Sequence, residues 1–165
     1  MATFQDFSDK GIFNVKTTYI TTSPEQTISL ATKAGERIKS GDVIAYKGSM
    51  GAGKTTFTRG LAIGMGLGDK VTSPTFALVN EYKEGSKTLA HFDMYRISSS
   101  DELDVTGFYD YIDMGAAVAV EWSENVIDGF DDGYITITIN RIDENTREIT
   151  FETVNGDDRF ADIGD

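Results

Sequence analysis

One eight-residue segment, Gly48–Thr55, limits the fold of this chain more than any other part of it. Its sequence, GSMGAGKT, matches the pattern G-x-x-x-x-G-K-[ST] of phosphate-binding loops in nucleoside-triphosphate enzymes. The residues before it, Asp42–Lys47, form a short apolar run typical of a buried strand, and Thr56–Met65 has helical spacing. A strand, a glycine loop and a helix in this order are the arrangement that phosphate binding requires.

Each part of the loop has its own chemical role. Glycines at 48, 51 and 53 allow positive φ angles, so that successive backbone N–H groups can face phosphate oxygens. Lys54 supplies a mobile cation for the β- and γ-phosphates, and the Thr55 hydroxyl is the expected ligand of Mg²⁺. The predicted nucleotide-binding residues are Ser49, Met50, Gly51, Ala52, Gly53, Lys54, Thr55 and Thr56.

Length and composition set further limits. A chain of 165 residues with 39% apolar content can bury one ordinary core, so we predict a single domain over residues 1–154 and a flexible acidic tail over 155–165. The absence of cysteine suits a reducing compartment. Met1–Lys10 lacks the profile of a secretory signal, and the apolar run Gly115–Val120 is far too short to span a bilayer. We expect a cytoplasmic protein without a membrane partner.

Charge is distributed unequally along the chain. Residues 1–96 carry a net charge of +3, whereas residues 97–165 carry −15. No lysine or arginine occurs from Ile97 to Asn140, so any direct binding of nucleic acid must come from the first part and is expected to be weak. Two interpretations of the acidic surface remain open: it keeps the chain soluble, or it binds a basic partner protein.

The hydrophobic pattern predicts alternating strands and helices around the loop. Ser23–Gln26 has the capping-box pattern of a helix start, and that helix is predicted to end at Gly41. Ser99–Glu102 repeats this pattern before a predicted helix over Leu103–Tyr111. The remaining predicted strands are Phe13–Thr21, Ala77–Tyr82, Thr88–Met94, Gly115–Glu121 and a final hairpin around residues 135–139 and 149–152, with one buried side.

Two acidic residues are candidates to hold a metal ion opposite the loop. Only an acid that ends a neighbouring buried strand can bring its carboxylate to a Mg²⁺ ion at this place. Glu121 closes the apolar run Ala116–Val120 and is the first candidate, and Asp93, which ends a hairpin strand, is the second. His91, the only histidine, is interpreted either as a strand residue with a satisfied ring or as a group that transfers protons.

Four segments, taken together, are similar to one known family. They are Gly48–Gly60 (GSMGAGKTTFTRG), Thr72–Val79 (TSPTFALV), His91–Arg96 (HFDMYR) and Glu121–Glu124 (EWSE). In this order they resemble the TsaE family, small bacterial P-loop ATPases that are required for making threonylcarbamoyladenosine in tRNA. The resemblance covers most of the chain, from Ser23 to Val126. Met50 and Met94 stand where the family more often has leucine, a substitution that preserves volume.

The resemblance implies a fold and a reaction. The implied fold is an α/β three-layer sandwich of the P-loop NTPase type, with a mostly parallel central sheet and added antiparallel strands. The implied reaction is hydrolysis of ATP with Mg²⁺, in which Lys54, Asp93 and Glu121 are catalytic and Thr55, Glu121 and Asp93 lie at the metal. A switch loop near the γ-phosphate is implied for residues up to Phe76, namely Thr72, Ser73, Pro74 and Thr75.

The resemblance also implies partners. Members of the family act with the proteins TsaB and TsaD, of which TsaD transfers the threonylcarbamoyl group to adenosine. The ATPase supports turnover of that assembly without carrying out the transfer. We therefore expect this chain to meet tRNA only through the complex.

Three alternatives use the same loop. A small-molecule kinase usually closes an arginine-bearing lid, and the region from Ile97 to Asn140 has no arginine. A GTPase-like switch is suggested by Asp104–Gly107 (DVTG) and by Asn125–Asp128 (NVID), but the first falls in a predicted helix and the second lacks the lysine of a guanine-binding motif. A module that holds ATP without cleaving it is the third. For hydrolysis, the transition-state cation is Arg59, Arg96 or a residue of a partner.

Overall fold

Eight strands form one mixed sheet in the computed structural model, which describes residues 2–7 and 12–164. The strands are β1 (Ala2–Phe7), β2 (Ile12–Thr21), β3 (Val43–Lys47), β4 (Val79–Glu84), β5 (Lys87–Asp93), β6 (Ala117–Glu121), β7 (Ile135–Arg141) and β8 (Arg147–Thr153). The helices are α1 (Pro24–Gly35), α2 (Lys54–Gly64) and α3 (Phe108–Asp113), with 3₁₀ helices at Ser100–Val105, Ser123–Asn125 and Ile127–Gly129.

The strand order is β1-β2-β8-β7-β3-β6-β5-β4. The four central strands, β7, β3, β6 and β5, run parallel, whereas β4 on one side and β8, β2 and β1 on the other pair with their neighbours in antiparallel fashion. This arrangement confirms the predicted α/β fold with a mostly parallel sheet and added antiparallel strands. Because β3 lies between β7 and β6, the segment after it emerges at the middle of the sheet.

Side chains of the central strands alternate between two buried clusters, because successive residues of a strand face opposite sides of a sheet. In β6, Ala117 and Ala119 join the cluster beneath α1 and α2, and Val118 and Val120 join the cluster on the other face. The second cluster includes Phe108 of α3. Both faces of β6 are therefore covered, which explains its continuous apolar sequence.

Helices α1 and α2 pack closely on one face. The Ser23 hydroxyl accepts a hydrogen bond from the N–H of Gln26 at 3.1 Å, which confirms the predicted helix start. A Cβ at Gly64 of α2 would come within 2.0 Å of the Thr32 carbonyl oxygen of α1, so this crossing needs glycine. The prediction that α1 continues to Gly41 is wrong: it ends at Gly35, and the N–H groups of Arg37 and Ile38 bond three residues back instead of four.

The predicted helix over Leu103–Tyr111 is also wrong as a continuous element. The chain forms a 3₁₀ helix to Val105 and begins α3 at Phe108. Gly107 between them has φ +84°, a left-handed conformation that no helix continues through. The Thr106 hydroxyl accepts from the N–H of Phe108 at 3.2 Å, so the break carries its own cap.

The C-terminal segment is ordered onto the core, unlike the loose tail that its composition predicted. Phe160 and Ile163 are each 2% exposed and join the cluster beneath α1 and α2. The Tyr19 hydroxyl donates to the Phe160 carbonyl at 2.5 Å, and Arg159 forms ion pairs with Asp42 and Asp157. Two apolar side chains among many acids are enough to fix the segment as far as residue 164.

Strand β1 has no counterpart among the predicted elements. It pairs along its whole length with β2, from Ala2 opposite Thr17 to Phe7 opposite Ile12. Pairing with a long neighbour, more than its own sequence pattern, makes this segment a strand. Over residues 2–7 and 12–164, the helices are all too short or too polar to cross a membrane.

Candidate functional site

The phosphate-loop segment connects β3 to α2, as the sequence predicted. Its glycines have positive φ angles, +148° at Gly48, +77° at Gly51 and +111° at Gly53. A Cβ at Gly48 would lie 2.5 Å from the Ile139 carbonyl oxygen of β7, so a side chain is sterically excluded there. The N-cap residue of α2 is Gly53, which has no side chain to cap the helix, so the first amides of α2 stay available to an anion.

Lys54 is held within the loop. Its Nζ donates to the Gly48 carbonyl at 2.9 Å and lies 5.8 Å from the ring centroid of Trp122. Trp122 has φ +57°, an uncommon angle for a residue with a side chain, and its ring contacts Tyr95 edge-on at 4.9 Å. An ammonium held by one carbonyl and a ring face can exchange both for stronger acceptors such as phosphates.

The two candidate acids are brought together at the carboxyl ends of the parallel strands, the same end of the sheet from which the loop emerges. Asp93 and Glu121 are register partners at the ends of the parallel strands β5 and β6, and β6 lies directly beside β3. The main chain ties these ends together, since the N–H of Met94 donates to the Glu121 carbonyl at 3.0 Å. The N–H of Tyr95 donates to Oδ1 of Asp93 at 2.9 Å. Ligands of open α/β sheets bind outside such carboxyl ends.

His91 lies beneath these acids. It is fully buried, and its Nε2 is 3.1 Å from Oε2 of Glu121, which is itself 7% exposed. Within the described residues neither ring nitrogen of His91 has a hydrogen-bond partner, so this short distance is a contact between the imidazole and the carboxylate. The interpretation of a satisfied ring is therefore not supported. The imidazole instead faces the carboxylate that is predicted to hold the metal.

Tyr46 of β3 supports the site from below. Its hydroxyl lies 2.8 Å from the Thr58 hydroxyl of α2, and its carbonyl accepts from the Ser123 hydroxyl at 3.0 Å. Burial raises the pKa of the Tyr46 phenol far above its ordinary value, so the group stays neutral. Tyr46 thus joins the strand before the loop, the helix after it and the segment that follows Glu121.

The donor set fits a magnesium ion that also binds phosphate oxygens and water. Thr55 at the start of α2 offers a hydroxyl, and Asp93 and Glu121 offer carboxylates. Mg²⁺ is commonly held by one or two carboxylates together with substrate phosphates, not by an all-protein cage. Within residues 2–7 and 12–164 no group of three or more His, Cys, Asp or Glu side chains forms such a cage.

The predicted switch loop precedes β4 and is tied to it at one end. The Tyr82 hydroxyl accepts from the N–H of Thr72 at 3.0 Å, and the Asn80 amide donates to the Thr72 carbonyl at 3.2 Å. The Ser73 and Thr75 hydroxyls lie 2.6 Å apart, and Phe76 is 93% exposed. The role of this switch loop near a γ-phosphate stays a prediction.

The two candidate transition-state arginines have different surroundings. Arg59 bonds Asp69, with 2.6 Å between its Nη2 and Oδ2, and this hydrogen bond lowers the pKa of the Asp69 carboxyl below its usual value. Arg96 is exposed, three residues after Asp93. Both arginines are exposed, but Arg59 is engaged by a carboxylate and is therefore the weaker candidate; the choice between them stays open to experiment.

A third arginine, which the sequence did not single out, touches the loop itself. Nε of Arg147, the first residue of β8, donates to the Ala52 carbonyl at 2.7 Å. No motif contains Arg147, and it begins a strand instead of ending one. Arg147 reaches the loop because β8 runs antiparallel to β7, so that β8 begins at the end of the sheet where β7 ends, with Arg147 opposite Arg141.

The motifs of the GTPase alternative do not form a base site. Asp104–Gly107 lies across the break between the 3₁₀ helix and α3, in the region of the second core cluster. Asn125 follows β6, but its side-chain amide donates to the Met94 carbonyl at 2.9 Å. An amide that supports the strand ends is not oriented to recognise guanine.

Comparison with known proteins gives consistent results. The family model described as "Threonylcarbamoyl adenosine biosynthesis protein TsaE" matches residues 21–149. A tRNA threonylcarbamoyladenosine biosynthesis protein TsaE from Bacillus subtilis is 38% identical over 81% of this chain and 84% of its own length. The protein of that name from Treponema pallidum is 33% identical over 79% and 96%. The crystal structure of Bacillus subtilis YdiB superimposes with a TM-score of 0.67 at 32% identity, covering 90% of both chains.

Proposed function

The chain belongs to the TsaE family, and on this basis we propose that it is a Mg²⁺-dependent ATPase in the biosynthesis of tRNA threonylcarbamoyladenosine. In this proposal the chain hydrolyses ATP to support the protein complex that installs the threonylcarbamoyl group on adenosine. The transfer itself is carried out by a partner. We expect slow hydrolysis in the isolated chain, because Arg59 is engaged by Asp69 and Arg96 is exposed, so that a partner would have to supply or fix the transition-state cation.

A phosphate loop beside two in-register carboxylates is the observation that carries the proposal. The positive φ angles of the loop glycines and the uncapped start of α2 support the binding of several phosphate charges. Asp93 and Glu121 at the adjoining strand ends support hydrolysis, since a metal ion and a water molecule both need acceptors there. A module that only stored the nucleotide would not require this second carboxylate.

Lys54 binds and orients the phosphate chain. Its ammonium leaves the Gly48 carbonyl and the Trp122 ring for the β- and γ-phosphates, which are stronger acceptors. Trp122, the only tryptophan, therefore reports this movement through its fluorescence. Of the loop residues, Ser49 to Thr56 supply the surrounding donors.

The carboxylates divide the remaining work. Glu121 and the Thr55 hydroxyl would hold Mg²⁺, which would neutralise charge on the β- and γ-phosphates. Asp93 would also face the ion and accept a hydrogen bond from the attacking water. His91 buttresses Glu121 from the buried side, so that this carboxylate keeps one orientation.

Partners complete the proposed function. Proteins of the TsaB and TsaD type are the proposed partners, and the complex works in the cytoplasm. The chain approaches tRNA only through the complex, because its second part is strongly acidic and repels polyanions. Tight, salt-insensitive tRNA binding by the isolated chain would contradict this part of the proposal.

Phosphate release tests the proposal. We expect slow release from ATP, less from GTP, and a clear increase when the TsaB and TsaD proteins are added. Lys54→Ala should abolish release, whereas Lys47→Ala, a matched control at the exposed end of β3, should retain it. Release unchanged in Lys54→Ala would refute the site. A preference for GTP, or phosphate transfer to a small molecule, would favour the alternatives.

A further inference from the structure

We infer that Arg147 is a positioning residue of the phosphate loop, which fixes the Ala52–Gly53 peptide so that the Gly53 N–H faces the phosphates. This inference rests on the proposed nucleotide-binding function and adds a residue to it. None of the loop, metal or switch segments contains Arg147. It enters the site from the opposite side of β3 to the two carboxylates.

The guanidinium of Arg147 joins the loop to the turn between β7 and β8. Its Nε donates to the Ala52 carbonyl at 2.7 Å. Its Nη1 donates to the Asp143 carbonyl at 2.8 Å and to the Thr146 carbonyl at 3.1 Å. The planar fork therefore has one edge on the loop and another on the hairpin turn, which restricts the rotation of the side chain.

Peptide geometry converts this contact into an orientation of the loop. The C=O and N–H of one trans peptide point in opposite directions in one plane. When Arg147 fixes the Ala52 carbonyl toward the hairpin, the N–H of Gly53 must point away from the hairpin. Lys54 begins α2 directly after this peptide, and we take the side away from the hairpin to be the one that receives the phosphates.

Other contacts of Ala52 make the orientation stiff. Its N–H donates to the Ser49 carbonyl at 3.1 Å, and its side chain is fully buried. Gly48, on the other limb of the loop, is pressed against the Ile139 carbonyl of the same hairpin. The β7–β8 hairpin therefore contacts the loop both near Gly48 and at Ala52, and the contact at Ala52 is the hydrogen bond from Arg147.

The Arg147 guanidinium forms no close ion pair within the described residues, although its charge, after the hydrogen bonds that the Asp143 carboxyl accepts, contributes to the lowered pKa of that carboxyl. Arg59 and Arg159 each form ion pairs with aspartates, whereas no such pair of Arg147 occurs in the part of the chain that the structure describes. Within the described residues, the hydrogen-bond acceptors of the Arg147 guanidinium are all main-chain carbonyls. A cation that bonds only carbonyls beside a phosphate loop also raises the local attraction for an anion.

Binding of ADP and ATP, measured by calorimetry, tests the inference with three variants. Arg147→Met removes the fork and the charge, and we expect Kd for both nucleotides to rise about tenfold. Arg141→Met is the matched control, since Arg141 pairs with Arg147 across the same hairpin and, within the described residues, its side chain bonds the Asp143 carbonyl and not the loop. Its affinity should match that of the wild type. Arg147→Lys keeps the positive charge but lacks the planar guanidinium, and its Kd for both nucleotides should lie between those of the wild type and Arg147→Met.

A spectroscopic readout separates positioning from general stability. In ¹⁵N-labelled protein, the Gly53 amide resonance should shift strongly when ADP binds to the wild type and to Arg141→Met, and weakly in Arg147→Met. Thermal unfolding of the three proteins shows whether Arg147→Met still folds at the temperature of the binding measurement. A merely structural role would lower the unfolding temperature and leave Kd and the Gly53 shift unchanged.

Each outcome decides between the inference and its rivals. Equal Kd values in Arg147→Met and Arg141→Met would overturn the inference. Full recovery in Arg147→Lys would overturn the positioning role, because charge alone would then suffice. Failure of the wild type itself to bind ATP or ADP would refute the proposed function, which is a different result from wild-type binding that is insensitive to Arg147.

Discussion

Two hairpins lie on either side of the phosphate loop, and they bring opposite charges to it. The β4–β5 hairpin extends the sheet beyond β6 and sets Asp93 beside Glu121; we call these two acids the carboxylate side. The β7–β8 hairpin pairs directly with β3 and sets Arg147 against the Ala52 carbonyl; we call it the arginine side. Their contacts differ as much as their charges do.

The difference separates chemistry from geometry. The carboxylate side holds acidic groups, one of them almost buried, in positions that a metal ion and a water molecule can use. The arginine side bonds neutral main-chain carbonyls and therefore sets the shape of the loop. We expect changes on the carboxylate side to lower kcat, and changes on the arginine side to weaken binding or to reduce the free energy of unfolding.

The largest effect is expected for Glu121→Gln on the carboxylate side. Loss of the charge should lower kcat for phosphate release roughly 10³-fold, because the proposed metal ion would lose one of its two neighbouring carboxylates. The affinity for ADP without Mg²⁺ should be unchanged, since the loop keeps its shape. Glu124→Gln, an exposed acid three residues further on, is the control and should behave as the wild type. Nearly normal turnover in Glu121→Gln would remove the basis for the comparison.

A smaller loss is expected for Asp93→Asn. The amide oxygen can still accept from the N–H of Tyr95, so the strand end stays intact, but the water loses its charged acceptor. We expect kcat to fall roughly 10²-fold while the Kd of ATP changes little. Asp101→Asn, at an exposed position of the first 3₁₀ helix, is the control. If Asp93→Asn raised the Kd of ATP without lowering kcat, Asp93 would belong to binding and not to catalysis.

Two glycine substitutions sharpen the description of the arginine side. Gly48→Ala sets a methyl group against the Ile139 carbonyl at an unfavourable φ, and should lower the free energy of unfolding by about 3 kcal/mol. In Gly51→Ala the added methyl group would lie in open space, so only the unfavourable positive φ should lower the free energy of unfolding, by about 1 kcal/mol. Urea unfolding without nucleotide measures both. Equal losses would mean that the loop does not rest on β7.

The smallest effect is expected in the C-terminal segment, away from both sides of the loop. Burial would raise the pKa of the Asp157 carboxyl, but hydrogen bonds from Arg159 outweigh it, and the net pKa lies below the usual value. The corresponding stability is present above the unfolded-state pKa and is lost as pH falls through the folded-state value. As the pH is lowered below about 4, the free energy of unfolding should therefore fall by roughly 0.5 kcal/mol less in Asp157→Asn than in the wild type. The exposed neighbour gives the control Asp158→Asn, and an identical loss of acid sensitivity there would contradict the assignment.

Local signals predicted those elements whose sequence alone carries the pattern. The loop, its flanking strand and helix, and the positions of most other strands along the chain were predictable, because glycine spacing and apolar runs are properties of neighbouring residues. The helix over Leu103–Tyr111 was not, because Gly107 breaks it. The packing of residues 155–164 against the core was not predicted, because Phe160 and Ile163 are only two large apolar residues in a segment whose composition is otherwise acidic and typical of a flexible tail.

Candidate site residues follow the same division. Asp93 and Glu121 could be proposed from the sequence, since both end apolar runs and parallel strands end at a common edge. The contact of His91 with Glu121 required the register of β5 against β6. The cation–π contact of Lys54 with Trp122 required the positive φ of a residue that no pattern marks.

The sequence by itself determined that a phosphate loop follows a buried strand, and that acids stand at the ends of two others. These facts depend on residues adjacent in the chain, where spacing fixes conformation. Tertiary structure alone decided that Arg147 holds the loop, because β8 runs antiparallel to β7 and so begins at the edge where β3 ends. Strand direction is a property of pairing between distant segments, and the hydrogen bonds that set it have no trace in local sequence.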